Sequence, residues 1–286
     1  MAITILVTGA NGQLGNAIQQ VAATLPASQY QFVFTNSSSL NITNEIAIQQ
    51  IFSNQHFDYC INCAAYTAVD KAETEKANAL ATNATAVKFL AQACHQHQTK
   101  LIHISTDYVF DGTATTPYKT DANTNPINYY GQTKLLGEQL AFQENEATII
   151  IRTAWVYSLH GNNFVKTMLR LMNEKESIGV VHDQQGTPTY APDLAAAIVH
   201  IITTQLFKPG IYHFTNNGNT TWFGFAQAIA NHIQTTCIVN AINTSQFPTP
   251  AKRPAYSILD VASFEKTFQY NIPQWQHSLT TCLSHL

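Results

Sequence analysis

Three groups of residues in this chain could do chemistry together. The first is the loop Gly9-Ala10-Asn11-Gly12-Gln13-Leu14-Gly15. Glycine lets a backbone approach a pyrophosphate closely, and a helix starting at such a loop offers free N–H groups and the positive end of its dipole. The second is Tyr130 with Lys134, four residues apart and so on one face of a helix. An ammonium beside a phenol lowers the phenol's pKa, so this pair is expected to deliver a proton near neutral pH, the lysine also holding a ribose. The third is Ser105-Thr106-Asp107, where a hydroxyl could reach the same reacting oxygen. Taken singly, each group has an ordinary alternative: a tight turn, an unremarkable helix surface, an N-cap cluster. Taken together they point to a dinucleotide held beside a proton-donating tyrosine.

The elements that must position these groups follow from apolar patterning. Strand-like runs at 3–8, 32–35, 58–64, 101–105 and 148–152 alternate with helical patterns at 13–23, 44–53, a long stretch ending near 98, and 129–143. Such alternation predicts right-handed βαβ units and a parallel sheet covered on both faces. Beyond 152 the rhythm loosens into helices at 163–174, 193–204 and 222–233 and a short strand at 210–214. The expected fold class is α/β: a Rossmann-type doubly wound parallel sheet with a smaller C-terminal α/β substrate-binding part. Residues 1–155 form the dinucleotide-binding domain, rejoined by about 190–215, with 156–189 and 216–286 as the substrate-binding domain.

Charge narrows the partners. The chain has 14 Lys+Arg and 17 Asp+Glu, so charged residues make up 11% against roughly 25% in ordinary domains. The net charge of −3 comes without basic runs, which argues against nucleic acid, and no apolar run is long enough to span a membrane. The five cysteines are an odd count at irregular spacing and make no disulfide framework. Cys60 and Cys63 form a C-x-x-C on a strand-like run, where side chains an odd number apart face opposite ways, so they are expected to be buried, inert thiols in a reducing, cytoplasmic setting. No charged side chain precedes Glu45. The second strand ends in Thr35-Asn36-Ser37-Ser38-Ser39, where an acidic residue would select NAD or an arginine NADP. With neither, NADPH is expected as cofactor, with NADH also accepted and weak discrimination between them.

With those motifs in place the chain resembles the extended short-chain dehydrogenase/reductase superfamily, and within it the dTDP-4-dehydrorhamnose reductases. The resemblance is carried by the segments 62–73, 105–112, 152–157, 161–164 and 183–189, and by Arg253-Pro254 with Ser257, Leu259 and Asp260. It spans nearly the whole chain, and the segments opening at Asn62 and Ser105 are its most specific parts. It implies reduction of the 4-keto group of dTDP-4-dehydro-L-rhamnose to dTDP-L-rhamnose. Tyr130 would then be the general acid, Lys134 its tuning and ribose-binding partner, and Thr106 a second donor to the same oxygen. Gly9, Asn11, Gly12, Gln13, Leu14 and Gly15 would line the pyrophosphate, Thr35, Asn36, Asn41 and Ile42 the adenosine, and Ala64, Ala65, Tyr66 and Ser105 the nicotinamide half. Val69, Thr106, Asp107, Tyr130, Trp155 and Arg253 would face the dTDP-sugar. Trp155 is expected to lay a flat indole on the sugar, with a core role as its alternative. Arg253 is expected on the diphosphate, with a structural pair to Asp260 as its alternative. Asp70, Lys71 and Glu73 are expected to be structural.

No carboxylate or histidine cluster has ligand spacing, so no metal is expected, although some members of the family are metal-linked dimers; a homodimer stays open. Two rival functions remain: a sugar-nucleotide epimerase or dehydratase of the same superfamily, and a non-catalytic regulatory subunit resembling the methionine adenosyltransferase beta subunit.

Overall fold

The computed structural model describes residues 2–286. Six parallel strands make the main sheet: β1 (Ile3–Thr8), β2 (Tyr30–Phe34), β3 (Tyr59–Asn62), β4 (Lys100–Thr106), β5 (Thr148–Thr153) and β6 (Gly210–His213). Their order across the sheet is β6-β5-β4-β3-β1-β2. The chain therefore winds outward from β1 to β2, crosses back to β3, and winds the other way. The reversal between β1 and β3 opens a crevice at the carboxyl ends of the strands, where doubly wound folds take their ligands.

The strand sequences are nearly continuous apolar runs because both faces are covered. Ile5, Val7, Ile102, Ile149 and Ile151 enter one core, beneath helices α1 (Gln13–Ala22) and α5 (Ala191–Thr203). Leu6, Leu101 and Ile150, one residue out of phase, enter the other, beneath α2 (Glu45–Asn54), α3 (Ala86–Gln96) and α4 (Tyr129–Glu144). That period of two is the pleat of a strand. Helix starts follow capping chemistry: Asn44 accepts from the Ala47 N–H and Asn128 from the Gly131 N–H.

The expected long helix ending near 98 is broken. Short helices Val69–Ala72 and Lys76–Leu80 lead into a π-helical turn, Ala81–Thr85, and only then into α3. The turn brings Asn83 inward. Its Nδ2 donates to the Tyr66 carbonyl and the Thr133 hydroxyl, and its Oδ1 accepts from the Tyr66 N–H. This ties the loop after β3 to the middle of α4, the helix that carries Tyr130 and Lys134.

A third core, built on Tyr157, Met168, Phe225 and Trp275, lies in the later part of the chain. There Ser177–Val181 pairs in parallel with Ile238–Ile242, a pairing that apolar patterning did not predict because its second strand is largely exposed.

Candidate active site

A cavity of about 680 Å³ follows the carboxyl ends of the strands. It runs from Asn41 and Ile42, past Gly9, Asn11 and Gly12, to Ala64, Ala65, Tyr130 and Lys134. Gly9 has φ +70°, and a Cβ there would come within 2.6 Å of the Ala64 nitrogen, so its glycine is demanded by the fold itself. Gly12 differs: a Cβ there would meet only the Gly9 carbonyl at 3.2 Å. Its bare backbone borders the cavity. Gly12 is also the N-cap of α1, and no side chain caps that helix start. An uncapped N-terminus with open space before it suits a pyrophosphate, so the residues present fit a dinucleotide. Gln13 and Leu14 also line the wall. Gly15 does not; it packs beneath the Gly9 carbonyl and Ala10.

Gln13 is also committed elsewhere. Its amide donates to the Val156 carbonyl at 3.2 Å and accepts from Ser158 at 3.1 Å and Asn163 at 2.9 Å. It clasps the glycine loop to the segment after β5. At the adenosine end, Thr35 corrects the sequence expectation. It is buried, its hydroxyl donates to the Val7 carbonyl at 3.1 Å, and it does not border the cavity. Asn36, Ser37, Asn41 and Thr43 do border it. Among the described residues that line this cavity, Lys134 is the single Lys, Arg, Asp or Glu.

Tyr130 and Lys134 sit together on α4 as their spacing predicts, but their electrostatics differ from expectation. Burial pushes the Tyr130 phenol up to about 12; its hydrogen bond with Thr106 opposes that rise and nearby Asp107 adds to it. The expected lowering by the lysine is absent, because Lys134 Nζ turns to the Ile104 carbonyl at 2.6 Å. Burial in turn pushes Lys134 down to about 8, with Glu138 and Cys63 acting upward. Thr106 caps a short 3-10 turn, accepting from the Tyr108 N–H at 3.3 Å and donating to Asp107 Oδ1 at 3.1 Å. Asp107 is buried, and its Oδ2 has no hydrogen-bond partner. Burial pushes its carboxyl up to about 6 against the pull of the Ser257 and Thr106 hydroxyls.

Behind this wall stands an ion pair the sequence reading did not assemble. Arg152, near the end of β5, forks onto Glu138, Nε to Oε1 at 2.9 Å and Nη2 to Oε2 at 2.7 Å, both side chains almost fully buried. Ser105 donates its hydroxyl to the same carboxylate, so this cavity-lining residue turns its hydroxyl away from a ligand.

The substrate-side residues are placed unevenly. Val69 packs beside Tyr130. Tyr66 lies off the cavity, its hydroxyl donating to Glu75 at 2.9 Å, and Thr67 lines the wall in its place. Arg253 pairs with Asp70, at 2.7 and 3.0 Å, and not with Asp260. Asp70 also accepts from the Ala251 N–H, and Glu73 from the Tyr129 N–H.

Trp155 has φ +48°, a strained value for a non-glycine residue. Its indole stacks on Trp222 with centroids 3.6 Å apart, and Gly186 presses against it. The open indole face expected for a sugar is thus taken by Trp222, a residue sequence reading missed because it lies far along the chain. Cys60 and Cys63 do enter opposite cores, but Cys63 is only half-buried and lines the cavity.

Comparison with known proteins bears on this geometry. The RmlD substrate binding domain family matches residues 3–286. A dTDP-4-dehydrorhamnose reductase of Aggregatibacter actinomycetemcomitans is 39% identical over 285 residues, covering 96% of either chain. The crystal structure of a dTDP-4-dehydrorhamnose reductase from Clostridium acetobutylicum superposes with a TM-score of 0.94 at 39% identity, covering 99% of both chains. That of a dTDP-4-dehydrorhamnose reductase from Bacillus anthracis, in complex with NADP, gives a TM-score of 0.94 at 38% identity and covers 100% of both.

Proposed function

The chain belongs to the dTDP-4-dehydrorhamnose reductase family, and on that premise we propose that it is an NADPH-dependent oxidoreductase. It reduces the 4-keto group of dTDP-4-dehydro-L-rhamnose to dTDP-L-rhamnose, a step in making nucleotide sugars for surface polysaccharide. The observation that carries this reading is one continuous cavity joining the uncapped start of α1 to the buried Tyr130 phenol. Bound there, the nicotinamide cofactor supplies the hydride for C4 of the sugar.

The chain's own residues do the rest. Backbone N–H groups of the glycine loop hold the pyrophosphate, with Asn36, Asn41 and Ile42 at the adenosine end and Ala64 and Ala65 beneath the other half. Tyr130 gives its proton to the oxygen on C4. Its raised pKa keeps the phenol protonated at neutral pH, so the proton is present to be given. Thr106 turns its hydroxyl proton from Asp107 to the same oxygen, and positioned donors of this kind stabilise its developing negative charge. Lys134 leaves the Ile104 carbonyl to hold the ribose. Asp70 orients Arg253 toward the sugar-nucleotide diphosphate, and Asp107 and Val69 border the sugar.

In this reading residues 1–155, with about 190–215, handle the cofactor and the remainder the sugar. NADH is accepted as well. No divalent metal takes part, so chelation leaves the rate unchanged. Five free cysteines support a cytoplasmic setting.

The test is NADPH oxidation with dTDP-4-dehydrorhamnose generated in place by the enzymes that precede this step. A reductase consumes the cofactor in step with the sugar. An epimerase would convert sugar without net consumption, a regulatory subunit would do neither, and each of those results would overturn the proposal.

A further inference from the structure

Behind Lys134 lies a chain of buried polar groups outside the reaction itself. Thr8 Oγ1 donates to Asn62 Oδ1 at 2.6 Å, Asn62 Nδ2 lies 3.0 Å from His103 Nδ1, and His103 Nε2 lies 3.4 Å from Lys134 Nζ. All four residues are buried, Thr8 and His103 completely. One backbone group fixes the sense of this chain. The Ala64 N–H points at Asn62 Oδ1 from 3.2 Å, and an N–H can only donate, so that atom is the amide oxygen. The atom facing His103 is then the amide nitrogen, which has only hydrogens to offer. Nδ1 of His103 must accept, so the neutral ring carries its proton on Nε2. Burial holds the ring neutral, with Lys134 adding to that effect. An Nε2–H therefore points at the lysine. An ammonium has three donors and no lone pair, whereas an uncharged amine can accept from Nε2–H while donating to the Ile104 carbonyl.

We propose that His103 is a positioning residue for Lys134: Asn62 fixes its tautomer, and the resulting Nε2–H, which an ammonium cannot accept, favours the uncharged form of the lysine amine and holds that form against the back wall of the cavity. The other groups facing Lys134 are Cys63 beyond β3 and Glu138 on α4, both favouring the charged form; Tyr130, one turn earlier on α4, lines the same cavity. Arg152 on β5 is neutralised by Glu138. Burial and the His103 N–H act in the opposite sense. On leaving the wall for the ribose, Lys134 loses this acceptor role, and its charged form is favoured. The proposal rests on the reductase reading only in giving Lys134 its task.

The tautomer is read in the ligand-free protein by nitrogen NMR with ¹⁵N-labelled histidine. Of eleven histidines, His103 and His213 are the buried rings whose pKa values lie below the ordinary range. His213→Phe removes the second, so that the signal of a buried ring with a lowered pKa belongs to His103. A proton on Nε2 is expected; a proton on Nδ1, or a doubly protonated ring, overturns the proposal. A second arm follows the alkaline limb of the pH profile of kcat/KM. His103→Gln can turn a carbonyl toward the ammonium, so that limb should move up by about half a unit or more. An unmoved limb in a folded His103→Gln protein also overturns the proposal, because a purely structural role would cost stability without moving it. The ring measurement needs no substrate. Its failure is therefore separate from a failure of the wild-type protein to oxidise NADPH, which would overturn the reductase reading alone.

Discussion

The two ends of the cavity are built on opposite electrostatic plans. At the adenosine end, in the first 44 residues, there is no charged side chain. The turns there are held by neutral groups: Asn36 Oδ1 accepts from the Ser38 and Ser39 N–H groups, and Asn41 Oδ1 from Thr43. At the reaction end, a chain with only 11% charged residues has placed Lys134, Glu138, Arg152 and Asp107 within one buried layer. A dinucleotide's phosphates can be met by backbone N–H groups that the fold presents without burying a charged side chain. A proton transfer cannot be arranged that way. It needs titratable groups, and burial changes their pKa values by more than surface screening would allow.

Substitutions at the reaction end should therefore act far more strongly than any at the adenosine end. The largest effect is expected from Glu138→Ala. It leaves Arg152 buried without a counter-charge, and unfolding by denaturant should show a loss of about 3–5 kcal/mol. A loss below about 1 kcal/mol would mean that the pair is not the keystone of that wall. Tyr130→Phe should keep the fold and lower kcat by about a hundredfold to ten-thousandfold; full reductase activity in that protein would remove Tyr130 from the role of acid.

Asp107→Asn sharpens the contrast through pH. In the folded chain this carboxyl sits at about 6 against an ordinary 3.8. Folded protein thus holds a proton that the unfolded chain releases, and stability falls as pH rises through that window, by at most about 3 kcal/mol. The asparagine protein should melt higher than wild type near pH 8 and gain nothing near pH 3, while its activity drops. Equal melting shifts at both pH values would show that the carboxylate is not strained by burial.

Arg253→Lys should raise KM for the sugar nucleotide about tenfold with kcat nearly kept, since a lysine cannot reproduce the fork that Asp70 now orients. The smallest effect belongs to the adenosine end. NADPH and NADH should differ in kcat/KM by less than about a thousandfold, because no charge there repels or attracts a 2′-phosphate; a larger ratio in either direction would break the comparison.

Much of the sheet was legible because buried parallel strands read as unbroken apolar runs, and β1 and the helix Trp222–Ile233 have the very bounds that patterning assigns. The π-helical turn was not legible. Ala81–Thr85 is Ala-Thr-Asn-Ala-Thr, a composition that does not tell a π turn from an α turn, and only the packing of Asn83 against Tyr66 and Thr133 opens the turn. The site divides in the same way. Residue type and local spacing put Gly12, Tyr130 and Lys134 on the cavity, and the family resemblance put Ala64 there. Thr35, Tyr66 and Gly15 have the right types in the right motifs, yet their side chains or backbones turn into the protein.

By itself the sequence determined the order of strands and helices, the glycine loop, the one-turn separation of Tyr130 and Lys134, and the absence of charge around the adenosine. All of these are set by residue type over short stretches, where backbone sterics and helix geometry leave few alternatives. Only the tertiary structure decided the partners: Arg253 with Asp70, Arg152 with Glu138, Trp155 with Trp222, and Lys134 with Ile104 and His103. Those choices depend on which side chains share a buried volume once the sheet is closed. Burial also reversed the expected direction of the Tyr130 pKa, because desolvation acts through surroundings that no local motif contains.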